Sequence, residues 1–105
     1  MVYRNLEIAD DALAAFCRRW QVTELALFGS VLRGDFRPDS DVDVLVTFDP
    51  KARWTLFEMV DMQDDLVRLL GRQVDLVSRR GVESSRNYLR RKAILSSAET
   101  IYVQR

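Results

Sequence analysis

The chain has 105 residues, 48% of them hydrophobic and 30% charged, which sets the scale at one compact soluble domain with its own core. Sixteen basic residues balance sixteen acidic ones, so the strong positive charge of a dedicated duplex-DNA binder is missing and stable duplex DNA binding is not expected. Histidine is absent and Cys17 is the single cysteine, which excludes His-ligated zinc, a Ser-His-Asp triad, a Cys-His dyad and an intrachain disulfide.

The N-terminal stretch "MVYRNLEIADD" lacks the basic start and apolar run of a signal peptide, and no apolar run reaches the roughly 18 residues of a membrane span. A cytoplasmic protein with no membrane contact is expected. In "DDALAAFCRRW" Leu13, Phe16, Cys17 and Trp20 recur at helical spacing, with Asp10 and Asp11 at one end and Arg18 and Arg19 near the other. Cys17 there reads as a small buried hydrophobe. "ELALF", residues 24–28, predicts a strand followed by a turn at Gly29-Ser30. Ser30 is expected to cap a short helix through about Arg33, and Gly34 with "RPDS" supplies turn residues before the next strand, Asp41 to Phe48. From Trp54 to Leu70 an apolar face of Leu56, Met59, Val60, Leu66, Val67 and Leu70 opposes Asp61, Asp64, Asp65 and Arg68, and Gly71 ends the helix. "RQVDLVS" predicts a third strand, "SSRNYLRRKAIL" a helix opening at a serine cap, and "TIYV" a last strand. Alternating strands and helices after a leading helix place the chain in the α/β (α+β) class.

Two aspartates open the strand at Asp41. Side chains alternate along a strand, so Asp41 and Asp43 project with Leu45 to one face and Val42, Val44 and Val46 to the other. Two like charges about 4 Å apart repel by roughly 4 kcal/mol at an effective dielectric of about 20, so a cation is expected between them. Asp75 in "QVDLV" joins the cluster if its strand is a neighbour, which depends on a sheet order the sequence does not print. Three carboxylates without histidine suit Mg²⁺, which completes its shell with water and substrate phosphates. Gly29 permits close backbone approach and Ser30 brings a hydroxyl to a helix start, together a seat for phosphates. Each residue also has a plainer reading. Asp41 and Asp43 suit a turn or cap beside Asp39-Ser40, while Arg33 and Arg37 suit either phosphate contact or a solvated loop. The six basic residues from Arg79 to Lys92 and the nine acidic ones from Asp35 to Asp65 suit solvated faces or a partner of opposite charge.

"GSVLRGDFRPDSDVDVLV" resembles the Gly-Ser, ten residues, Asp-x-Asp signature of the nucleotidyltransferase superfamily, and "ELALFGS", "DDLVRLLGRQVDLV" and "AETIY" extend the likeness to the minimal nucleotidyltransferase, or MNT, group. The resemblance implies one domain over residues 1–105, a mixed β-sheet flanked by helices, related to the DNA polymerase beta catalytic core. It implies that Gly29 and Ser30 hold the triphosphate of ATP, that Asp41 and Asp43 bind two Mg²⁺ ions, and that Asp75 completes the metal site and assists the acceptor hydroxyl. It also implies an antitoxin that transfers AMP to a tyrosine of a HEPN-type ribonuclease toxin, with which it forms a hetero-oligomer. That nuclease uses an Arg-x4-6-His motif, which a chain without histidine cannot be. Two alternatives stay open: transfer to an aminoglycoside-like hydroxyl, for which so short a chain has little binding surface, and a non-catalytic antitoxin that blocks its partner by contact.

Overall fold

A computed structural model describes residues 2–3, 6–33, 37 and 39–104. Two short strands, β1 (Val2–Tyr3) and β2 (Leu6–Glu7), pair antiparallel ahead of the first helix, a hairpin too short for periodicity to announce. Helix α1 (Asp10–Arg19) carries Asp10 and Asp11 in its first turn and Arg18 and Arg19 in its last, each set matching the helix dipole. It buries Leu13, Phe16 and Cys17, and burial pushes the Cys17 thiol up to about 12 against a small opposing effect of Arg18. Strand β3 (Val22–Phe28) then runs into a 3-10 helix (Gly29–Leu32). The expected turn residues Gly34 and Pro38 lie outside the described residues.

Strand β4 (Val42–Phe48) starts one residue later than expected and leads to helix α2 (Leu56–Leu70). Thr55 caps that helix, its N–H donating to the Glu58 carboxylate at 2.9 Å. Gly71 closes it at φ +68°, with its N–H on the Val67 carbonyl at 2.8 Å. Strand β5 (Val74–Ser78) is followed by a short helix α3 (Arg79–Glu83) that periodicity over five residues cannot signal. Helix α4 (Tyr88–Ser97) is capped by Asn87, whose side chain accepts the Arg90 N–H at 3.1 Å, and not by a serine as expected. Strand β6 (Glu99–Val103) ends the described chain's regular structure.

The main sheet has the order β5-β4-β3-β6. β3 pairs antiparallel with β4 and β6, whereas β4 and β5 are parallel. A parallel neighbour requires a crossover, and α2 supplies it. The sheet is therefore mixed and flanked by helices, the α/β (α+β) arrangement expected. One face of the sheet presents Leu25, Leu27, Val42, Val44 and Val46 to α1 and to Met62, Leu66 and Leu70 of α2. Its other face presents Ala26, Phe28 and Leu45 to Val82 of α3 and Ile94 of α4. Burial on both faces explains why β4 reads as a nearly continuous apolar run after Asp43. Trp20 and Trp54 meet edge to face at 5.3 Å, and the Trp20 indole N–H donates to Asp65 at 2.9 Å, which ties the end of α1 to α2. Among the described residues no helix is long and apolar enough to cross a membrane.

The two sides of α2 should respond differently to truncation. Leu66 is fully buried, so Leu66→Ala is expected to cost about 2–5 kcal/mol, whereas Phe57, 84% exposed, should lose less than about 0.5 kcal/mol on conversion to Ala. Urea unfolding followed by circular dichroism checks both, and equal losses would place the core on the wrong face of the helix.

Candidate active site

The antiparallel register sets Asp43 opposite Phe28, the last residue of β3. The next residue, Gly29, turns the chain at φ +75°, a left-handed conformation that side chains rarely adopt. A Cβ built on Gly29 would lie 2.1 Å from Oδ2 of Asp43. Glycine is thus required twice at this position, by conformation and by the space the carboxylate occupies. The Ser30 N–H donates to the Asp43 carboxylate, so strand end, turn and carboxylate are packed as one unit.

This detail corrects the role expected of Ser30 as a helix cap. Ser30 is the second residue of the 3-10 helix, the flanking position is Phe28, and no side chain caps the turn. The positive φ at Gly29 is what redirects the chain, and that conformation is not encoded by serine. Arg33 closes the turn with its N–H on the Ser30 carbonyl at 3.0 Å.

The parallel register pairs Asp43 with Asp75 on β5, and the two project to the face that also carries Leu45 and Val77. Asp41 lies just before β4 and is exposed, as is Asp75, whereas Asp43 is half-buried. Burial raises the Asp43 carboxyl above its usual range, and the charges of Asp75 and Asp41 raise it further. Arg33 and the Ser30 N–H act in the opposite direction. The structure accordingly brings together Gly29, Ser30, Arg33, Asp41, Asp43 and Asp75 at one end of the sheet. Arg37 is placed differently: its N–H donates to the Ser40 hydroxyl at 3.1 Å, its side chain is exposed, and it is not among the groups that act on Asp43.

Arg72 is a residue that pattern reading passed over. Its guanidinium donates to the carbonyls of Arg37 and Ser40, the latter at 3.0 Å, while the Val42 N–H donates to the Gln73 carbonyl at 2.8 Å. These bonds fasten the segment before Asp41 to the start of β5. The sequence signal was only an arginine flanking a strand, which has no distinctive pattern.

The donor set is three carboxylates with neither imidazole nor thiolate beside them, and such hard oxygen ligands fit Mg²⁺. Among the described residues no three acidic, histidine or cysteine side chains converge closely enough to hold a metal ion. Asp43 and Asp75 are register partners, and the charges of Asp41 and Asp75 both act on Asp43.

Two measurements follow from this geometry. Gly29→Ala should cost about 1–2 kcal/mol for the left-handed conformation, plus a steric share that disappears when Asp43→Ala is added, because only the Asp43 Cβ would remain nearby, at 3.5 Å. A double-mutant cycle in urea reads that coupling, and strict additivity would contradict the contact. Second, a carboxyl raised above its unfolded value prefers its proton in the folded state, so ionisation on raising the pH destabilises the fold. Without metal, Asp43→Asn should therefore melt above the parent near pH 7, with the gap closing below about pH 4, where carboxyls are largely protonated. A gap that is independent of pH would be contrary to this assignment.

A profile of the nucleotidyltransferase domain family matches residues 10–101, which include every residue of this cluster. The protein adenylyltransferase MntA of Thermococcus cleftensis is 39% identical over 88 residues, covering 80% of this chain and 87% of that protein. Two solved structures share the fold. One, a toxin-antitoxin complex with AMP-PNP, superposes with a TM-score of 0.68 at 20% identity, covering 90% of this chain and 73% of the other. The second, a tri-AMPylated Shewanella oneidensis HEPN toxin in complex with its MNT antitoxin, gives 0.60 at 19% identity, covering 90% and 69%. With that family matched over residues 10–101, this chain belongs to the nucleotidyltransferase domain family.

Proposed function

We propose that this protein is an antitoxin that transfers AMP from ATP to a tyrosine hydroxyl of a cognate HEPN-type toxin and so neutralises it. The observation that carries the reading is the packing of Gly29 on the Asp43 carboxylate with Asp75 beside it in register, which supports a single site built from the Gly-Ser and Asp-x-Asp residues. The likeness to an adenylyltransferase from Thermococcus cleftensis and to the fold of an antitoxin bound to an AMPylated HEPN toxin supports both the reaction and the class of acceptor.

Asp41, Asp43 and Asp75 are the residues that would hold Mg²⁺. When bound, the metal neutralises charge on the triphosphate and stabilises the leaving pyrophosphate. The half-buried, glycine-bearing turn at Gly29-Ser30 would admit phosphate oxygens close to the backbone, and the Ser30 hydroxyl would add a donor. Arg33, whose charge acts on Asp43, would meet a phosphate. The acceptor oxygen attacks the α-phosphorus, the bond from that phosphorus to the bridging oxygen breaks, and pyrophosphate leaves. Asp75, exposed at the edge of the sheet, takes the proton of the acceptor hydroxyl. A protein acceptor would cover apolar surface that is exposed here, including Leu56, Phe57 and Val60 on α2 and Tyr88 and Leu89 on α4.

Two outcomes test this function. Mg²⁺ with ATP at about a hundredfold excess over its dissociation constant should stabilise the parent by about 2.7 kcal/mol, and Asp43→Asn should lose most of that response. Mass spectrometry of the co-expressed partner should find AMP on a tyrosine-containing peptide. Combining Asp41→Asn with Asp43→Asn should reduce that transfer by several orders of magnitude while leaving the complex intact. Ser30→Ala should cost about tenfold, the scale of one hydrogen bond to a phosphate. If the double variant neutralises an unmodified toxin as well as the parent does, blocking by contact replaces transfer as the mechanism.

A further inference from the structure

A cleft of about 550 Å³ lies at the end of β4 away from Asp43, lined by residues that include Phe48, Pro50, Arg53, Ser78, Arg80 and Glu83. Asp43 and Phe48 are five residues apart along β4, which puts this cleft roughly 15 Å from Asp43. Its position follows from the topology. β4 and β5 are parallel, and both end here. The chain leaving β4 enters α2, which packs through Met62 and Leu66 on one face of the sheet. That leaving β5 enters α3, which packs through Val82 on the other. Where the connections from adjacent parallel strands part to opposite faces, a crevice opens beyond their carboxyl ends, and in open α/β sheets such crevices bind ligands. The volume is within the range of small-molecule sites, about 300–1,000 Å³.

The charges at the cleft are unequal in their availability. Arg79 is taken up by Thr47 at 3.0 Å and Glu24 at 3.3 Å, so it serves as part of the wall. Arg53 donates one nitrogen to the Pro50 and Ala52 carbonyls at 2.8 and 3.0 Å, which fixes its guanidinium without neutralising it. Neither Arg53 nor Arg80 has a carboxylate partner among the described residues. Of the two acids, Asp49 is turned into its own loop, accepting the Lys51 N–H at 2.8 Å. Glu83 remains at the exposed rim, where its charge opposes an anion. Val46, Phe48, Pro50 and Ala52 supply an apolar wall beside the two guanidiniums.

We propose that this cleft binds a phosphomonoester with a flat apolar body, of mononucleotide size. Arg53 and Arg80 take the phosphate through charge-assisted hydrogen bonds, and Phe48 and Pro50 flank the ring. The site is independent of the carboxylate cluster and of any metal there, so it is tested with the full chain in EDTA.

AMP is the probe, and adenosine the uncharged control, in a titration followed by amide chemical shifts. AMP should shift Thr47, Asp49, Ala52, Ser78 and Arg80 in a saturable manner at millimolar concentration, while adenosine should fail to saturate. Arg80→Gln should weaken the apparent affinity about tenfold, the effect of one charge-assisted contact, and Glu83→Gln should tighten it by removing the opposing charge. Asp41→Asn with Asp43→Asn should leave it unchanged. Shifts confined to Gly29, Ser30 and Asp43 would overturn the proposal, as would the absence of saturable shifts at Thr47 and Ser78 or an Arg80→Gln variant that binds AMP as the parent does.

Discussion

A carboxylate packed against a glycine is the contact from which the site is built. Asp43 occupies the volume that any side chain at position 29 would need, and Gly29 uses its freedom to turn the chain at φ +75°. Neither half is optional. Without the positive φ, the chain leaving β3 would not bring the Ser30 N–H to Asp43; without the carboxylate, the turn would lose that N–H acceptor. The contact is held in place from below by β4, where Val42, Val44 and Val46 are fully buried between α1 and α2. Sliding β4 by one residue would turn those valines out of the core and Asp43 into it, so packing energy fixes the register that functional geometry requires.

The same register explains the electrostatics. Placing Asp75 directly beside Asp43 on a parallel neighbour, with Asp41 just ahead of the strand, concentrates negative charge where one carboxylate is half-buried. Such an arrangement raises the Asp43 carboxyl and opposes folding in the absence of a cation. A bound cation would reverse that cost. Arg33 offsets part of the charge from the protein's side. The opposite end of the sheet has the reverse character, with Arg53, Arg79 and Arg80 around an apolar wall. One strand thus carries acid chemistry at its start and basic surface near its finish.

Much of this was legible in the residues because the strongest signals are local. Period-two alternation separated the faces of β4, helical spacing with Gly71 bounded α2, and the Gly-Ser to Asp-x-Asp spacing pointed to the cluster. What stayed hidden depends on contacts between distant segments. The place of Asp75 beside Asp43 depends on the sheet order, and chain order does not by itself reveal that the two strands joined by α2 are neighbours. Serine commonly caps helices, yet here the turn is set by Gly29 and capped by no side chain. Asn87 took the capping role expected of a serine, since several capping residues in "SSRNY" compete within a few positions. Arg72 has no sequence signature, because its partners are backbone carbonyls, those of Arg37 and Ser40.

We propose that Gly29, Ser30, Asp41, Asp43 and Asp75 form one metal-dependent nucleotide site. Paramagnetic broadening by Mn²⁺, which takes the same hard oxygen donors as Mg²⁺, tests it most directly. Substoichiometric Mn²⁺ should first erase the amide signals of Asp41, Asp43, Asp75, Gly29 and Ser30, more completely when ATP is present, while Thr47 and Ser78 stay sharp. Broadening that begins instead at Asp61 and Asp64 on α2, or that spreads evenly over the acidic surface, would contradict the account.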